Sequence, residues 1–431
     1  MTDNGMHILT IAIGLWTVVL AVPLLVFTLE CQLAAWPRRR PLNLARSPGR
    51  DVALDRASGA TDAPLVRRAP AEPVSTVVLI PAHNEESGLE RALRGILATL
   101  GPRDEVLVVA DNCTDRTAEI ARGLGARVVE RHDTTRRGKG FALAFGVNAL
   151  RSKPPEALVV LDADCRVNDQ TVQLLAAEAL RSGRPAQSLF LCDDPATGAS
   201  LGSISRLGYH FKNAVRPSGL ARAGGPCHLL GSGMAFPWSL VERIEWDTPS
   251  LAEDMELGID LALRGYPARF CPEVGVWSEL PESTRAALQQ RTRWEQGHLR
   301  ALCTRLPRLI AGAVRQRRFD LALLALDLCV PPLSLLVLAW AAGLVLATAA
   351  WWWLGVVPLF AQVLAGIGAA VGASVLAGWW VFCREHIPLV ALLAAPWYML
   401  RKLPIYVRFF LARGEREWIR GERAKPLPSP R

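Results

Sequence analysis

From Thr76 onward, short apolar runs alternate with stretches of helical period. Thr76 to Ile80, Glu105 to Ala110, Arg127 to Val129, Leu158 to Leu161 and Ser188 to Leu191 read as strands. Between them, Glu85 to Leu97, Thr114 to Leu124, Gly140 to Leu150 and Gln170 to Arg181 read as helices. Strands alternating with helices predict an α/β domain with a mainly parallel sheet covered on both faces. Ligands of such sheets bind beyond the carboxyl ends of the strands.

Longer apolar blocks flank this pattern. Ile8 to Leu29 is about 22 residues, enough to cross a bilayer, and no Lys or Arg precedes it as a signal peptide would require. Leu328 to Ala349 and Gly355 to Phe382 read as two further spans, with Trp351, Trp352 and Trp353 in a tight link at the outer interface. Ile387 to Leu411 carries three prolines and three basic residues, and is expected to lie in the interface rather than span. Asp327 is expected to mark the interface at the start of the hairpin. The anticipated organisation is an anchor at 1–30, a basic linker at 31–73, a cytoplasmic α/β domain at 74–319, a transmembrane hairpin at 320–383, and an interfacial helix with a basic tail at 384–431.

Composition sharpens this picture. Of 431 residues, 51% are hydrophobic, an excess confined to those blocks. The net charge of +9 could suit nucleic acid, but the arginines sit beside the apolar blocks. Arg38, Arg39 and Arg40 follow the first and Arg401, Lys402 and Arg408 follow the last, which is a membrane-orientation pattern. It places the α/β domain on the cytoplasmic face of the inner (plasma) membrane and excludes nucleic acid as partner. The nine cysteines show no metal-ligand spacing and read as reduced core residues.

Candidate chemistry collects at the predicted strand ends. The first strand runs into Pro81-Ala82-His83-Asn84-Glu85, the second into Asp111-Asn112-Cys113-Thr114-Asp115, the fourth into Asp162-Ala163-Asp164. Each alone is an ordinary helix cap; three acidic clusters at three ends of one sheet would share one crevice. The glycine pattern of a dinucleotide fold is absent, as is a phosphate-binding loop. An acidic crevice calls for a divalent cation, Mg or Mn, bridging phosphate oxygens.

In order along the chain, these clusters resemble the family-2 glycosyltransferases, in the subgroup that includes cellulose synthase-like and poly-N-acetylglucosamine synthase-like enzymes. The resemblance continues through Gly138-Lys139-Gly140, Gly231-Ser232-Gly233-Met234, Glu253-Asp254 and Gln290-Arg291-Thr292-Arg293-Trp294. It implies a GT-A fold joined to transmembrane helices, and an inverting transfer from a nucleotide-diphosphate sugar, UDP-linked, to a polysaccharide or lipid-linked saccharide. Pro81, Ala82, Glu85, Asp111, Lys139, Asp162, Arg291 and Arg293 would bind the donor, and Asp164 the metal. Gly231, Ser232, Gly233, Gln290 and Trp294 would face the acceptor. Asp254, beside Glu253 at a helix start, would be the base, its anion stabilised by the helix N-terminus. The second cluster often begins with two aspartates; here Ala110 precedes Asp111, leaving one carboxylate. A competing reading is a non-catalytic membrane scaffold or nucleotide sensor on the same fold. Three spans line no exit path alone, so an export partner or self-association is part of the expectation, alongside membrane lipids.

Overall fold

The computed structural model describes residues 3–37, 74–193, 201–248, 253–279 and 284–411. Most of the expected linker and the basic tail from 412 lie outside them. The described residues fall into two compact units. One lies within 38–194 and 226–294, the other within 1–37, 195–225 and 295–415. The expected 74–319 block is therefore divided, because its 201–222 segment packs on the N-terminal helix: Phe211 stacks on Phe27 at 5.8 Å between ring centroids.

The first unit is built on an eight-stranded sheet. Its strands are β1 (Thr76–Ala82), β2 (Glu105–Asp111), β3 (Arg127–Arg131), β4 (Ala157–Val160), β5 (Arg166–Val167), β6 (Ala186–Asp193), β7 (Met234–Pro237) and β8 (Arg269–Glu279), in the order β3-β2-β1-β4-β7-β6-β8-β5. β3, β2, β1 and β4 run parallel, with Leu79 beside Leu107 on one side and Val160 on the other. β6 and β8 are also parallel. β7 runs against β4 and β6, and β5 against β8, so the sheet is mixed but mainly parallel. The continuous runs Val77–Ile80 and Val106–Ala110 are buried on both faces, as parallel strands between helices must be.

Helix Lys139–Leu150 covers one face, with Leu143, Val147 and Leu150 in the core formed by Leu79, Leu107, Val109 and Phe236. Gly146 permits the close approach, since a Cβ there would stand 2.5 Å from Leu79 Cδ1. That contact fixes the helix whose first residue is Lys139.

The second unit is helical. Among the described residues, three helices are long and apolar enough to cross a membrane: Asp3–Ala35 (apolar from His7), Leu333–Leu354 and Leu359–Phe382. The first outruns the expected anchor. Trp351, Trp352 and Trp353 end the second helix rather than form the link, which is Gly355 to Pro358 with Gly355 at φ +67°. The 387–411 segment is not one interfacial helix but a 3-10 turn (Leu389–Ala394) and two short helices (Ala395–Leu400, Leu403–Leu411). Pro388, Pro396 and Pro404 stand at or next to the start of each piece, where a missing N–H costs least.

Asp327 lies in the short helix Phe319–Leu328, ahead of the hairpin. It is buried, and its carboxylate accepts from Arg216 Nη2 at 2.6 Å, while Arg216 Nε donates to Glu30 at 2.7 Å. A buried charge cluster of this kind was not expected from the sequence. Arg216, set by the 211–222 packing, joins two carboxylates from separate helices.

Candidate active site

The carboxyl ends of β1, β2 and β4 bring the acidic clusters together. Asn84 and Asn112 follow β1 and β2 with φ of 54° and 51°, a conformation Asn tolerates better than most side chains. Each braces its neighbour. Asn84 Oδ1 accepts from Thr114 N at 2.7 Å, and Asn112 Oδ1 accepts from Asp133 N at 2.8 Å. The loops after β1, β2 and β3 are thus tied in sequence.

Asp111 ends β2 buried, its Oδ1 accepting from Arg131 Nη1 at 2.7 Å. Arg131 also donates to Asp133 and to the Arg136 carbonyl. The carboxylate expected to stand alone is instead half of a buried ion pair. Pro81 and Glu85 are half-buried at the same edge, while Ala82 is buried within β1. The Glu85 amide donates to Thr117 Oγ1 at 2.8 Å. His83 Nδ1 lies 2.5 Å from the Asp111 carbonyl oxygen and has a structural part.

Past β4, Asp162, Asp164 and Cys165 place one ligand atom each within 4.8 Å of one another. The two carboxylates suit a hard divalent cation, which prefers oxygen. Cys165 suits it poorly. Its thiol is buried against Ser232 Oγ at 3.1 Å, and burial holds it well above its ordinary range. The donor set that fits is therefore Asp162 and Asp164, with Ser278 Oγ 3.4 Å from Asp164.

Lys139 joins this cluster to the next. Its ammonium pairs with Asp162 and donates to the Gly231 carbonyl at 2.6 Å. Burial lowers its affinity for a proton, but the nearby Asp162, Glu253 and Asp254 charges outweigh this and raise it. Glu253 and Asp254 open helix Glu253–Leu263. Asp254 Oδ1 accepts from Met255 N at 2.7 Å, the helix-start amide expected to stabilise its anion. Burial pushes the Glu253 carboxyl up to about 7, helped by the Asp254 charge and opposed by Lys139 and Arg293. Arg293 thus acts on the same carboxylates. On its helix, Gln290 Oε1 and Arg291 Nε are buried without a hydrogen bond among the described residues, an arrangement that ordinarily awaits a partner. Trp294 is half-buried nearby in sequence.

The model matching the family described as "Glycosyltransferase like family 2" covers residues 73–297, more than half of the chain. The chain belongs to that family. It is 29% identical over 243 residues to the probable glycosyltransferase YdaM of Bacillus subtilis strain 168, a match covering 51% of this chain and 54% of that protein. It is 26% identical over 268 residues to a poly-beta-1,6-N-acetyl-D-glucosamine synthase of Staphylococcus aureus strain COL, covering 58% of this chain and 60% of that protein. Each match spans less than two thirds of the relative. Among solved structures, the mannosyltransferase PcManGT from Pyrobaculum calidifontis, in complex with GDP-Man and Mn2+, aligns with a TM-score of 0.52 at 22% identity, over 91% of this chain and 99% of that one. At that identity the likeness speaks for the fold, which is GT-A.

Gly231, Ser232 and Gly233 are all buried, and the Ser232 hydroxyl accepts from Asp162 N at 3.0 Å. They brace the carboxylate loop. Gly231 and Gly233 are needed for their φ of +83° and +67°. Arg131 and Gln187 were not anticipated. The signal for each was a polar residue within or at the end of an apolar strand, which must find a partner when buried.

Proposed function

We propose that this chain is a membrane-bound inverting glycosyltransferase that moves a sugar from a nucleotide-diphosphate donor, UDP-linked, to a polysaccharide or lipid-linked saccharide. One observation carries the proposal: Lys139 connects the Asp162–Asp164 carboxylates to the Glu253–Asp254 pair. Donor-leaving and acceptor-activating chemistry then share one crevice. The S. aureus relative, a polysaccharide synthase by name, supports the acceptor class. The Mn2+ and nucleotide sugar named for the archaeal neighbour support the donor class.

Asp164 and Asp162 would hold a divalent cation, which supplies charge neutralisation of the departing diphosphate. Arg293 and Arg291 would add donors on the phosphate side. Glu85 and the Asp111–Arg131 pair would hold the nucleoside, and Pro81 and Ala82 would shape its pocket. Asp254 would take the proton of the acceptor hydroxyl as that oxygen bonds to the anomeric carbon and the sugar–phosphate bond breaks. A single displacement of this kind inverts the anomeric centre. Trp294 would offer a flat platform to an acceptor sugar, with Gln290 beside it.

The three apolar helices and the arginines after Trp36 favour a multi-pass protein of the plasma membrane with this site on the cytoplasmic side. Three spans favour an export partner or self-association if the product leaves through the membrane.

The test is transfer by membranes given a panel of labelled nucleotide sugars. Asp254→Asn should stop transfer while nucleotide binding persists, and chelation of divalent ions should stop it reversibly. Donor binding without any release of nucleoside diphosphate, under every donor tried, would favour a retired enzyme acting as scaffold or sensor.

A further inference from the structure

Gln187 is fully buried in β6. Its side-chain amide spends nearly all its hydrogen-bonding capacity on one loop. Nε2 donates to the Ser232 carbonyl at 2.9 Å, with the Gly233 and Ser188 carbonyls at 3.3 and 3.1 Å. Oε1 accepts from Leu230 N at 2.9 Å. The amide therefore grips the chain on both sides of Gly231.

We infer that Gln187 is a positioning residue for the transfer reaction, holding the 230–233 loop and, through it, the spacing between Lys139 and Asp254. The inference rests on reading Asp254 as the base. Three links leave the loop toward the reacting groups. The Gly231 carbonyl receives Lys139 at 2.6 Å. The Gly231 Cα lies so close to Asp254 that a Cβ would stand 2.9 Å from its Oδ2. The Ser232 hydroxyl receives the Asp162 amide at 3.0 Å.

The far end of the loop is held by the sheet, through Gly233 N to the Val160 carbonyl and Ser188 N to the Gly233 carbonyl, each at 2.9 Å. The near end, at Leu230, and the Ser232 carbonyl rely on Gln187. An apolar side chain of equal volume would fill the core without desolvating an amide, which costs free energy unless every bond is made. Here those bonds are returned to the one loop that touches the base, the lysine and the metal carboxylates.

The test compares Gln187→Met, which keeps volume and loses both bonds, with Gln187→Glu. The latter keeps the acceptor for Leu230 but sets a carboxylate against three carbonyls. Hydrogen–deuterium exchange should quicken in the 228–234 peptide of each variant. kcat should fall on the order of 10- to 100-fold, as for a small misplacement of reacting groups. The acid limb of kcat against pH should shift, because Lys139 no longer sits fixed beside Asp254, while the donor KM changes less than kcat.

A variant that melts like the wild type and shows an unshifted acid limb overturns the inference, whether its activity is full or uniformly scaled down. Gln187→Glu carries the comparison if the Met variant does not fold; if neither folds, Gln187 is a core residue and the inference fails. Transfer that survives in Asp254→Asn discards the base assignment instead, and the exchange at 228–234 still reports separately on the Gln187 contact.

Discussion

Lys139 and Asp162 form an ion pair at the carboxyl end of β4, between residues 23 positions apart. The pair puts a fixed positive charge where a diphosphate would otherwise meet two carboxylates and the Glu253–Asp254 pair. Hydrogen bonds to charged groups contribute about 1.5–3 kcal/mol each. Lys139→Met should therefore raise the donor KM roughly 10- to 100-fold, measured by release of nucleoside diphosphate. An unchanged KM would leave Lys139 with only a structural part.

Glu253 gives the protein a pH signature. Its folded-state carboxyl titrates near 7, above its usual 4.5. Between those values the unfolded chain has released the proton that the folded chain keeps, so stability falls as pH rises through this window and levels off above it. Glu253→Gln should flatten that slope. Thermal melts of both proteins from pH 4 to pH 8 check it, and parallel curves for the two would refute it.

Gly231→Ala tests the crowding around Asp254. The added methyl would meet Asp254 Oδ2 at 2.9 Å, at a φ of +83° that costs an L-residue about 1–2 kcal/mol. A loss of kcat on the order of 10- to 100-fold is expected, with a modest fall in melting temperature. Wild-type kcat in a folded variant would show that the Asp254 carboxylate can move aside without consequence.

The helical unit holds its own asymmetric charge cluster. Arg216 serves Glu30 and Asp327, all three nearly buried. Arg216→Leu leaves two buried carboxylates unpaired and should destabilise by about 3–5 kcal/mol. Glu30→Gln should cost less, about 1 kcal/mol, because an amide oxygen at that position can still accept from Arg216 Nε. Melting temperatures in detergent decide it; equal losses for the two variants would rule out this division of roles.

Much of the fold was legible because its signals are local. The run Val77–Ile80 lacks polar interruptions, so it reads as a doubly covered strand. The stretch Gly140–Leu150 reads as a helix. The reversal of β7 was not legible, since four apolar residues carry no direction. At the site, the acidic clusters were legible by their order. Their partners were not, because a hydrogen bond such as Lys139 to Gly231 spans 92 positions, and nothing in either neighbourhood announces the other.

By itself, then, the sequence determined the alternation of strands and helices, the three apolar helices and the residue types offered at the strand ends, since period, hydrophobic length and side-chain chemistry are properties of short segments. Only the tertiary structure decided that Asp111 is paired with Arg131, that Ser232 faces inward to the Asp162 amide, that Gln187 grips the loop beneath Asp254, and that Arg216 reaches Glu30 across 186 positions. These are decisions of burial. A polar group removed from water must be satisfied by whatever the fold brings within about 3 Å, and that neighbour is set by packing.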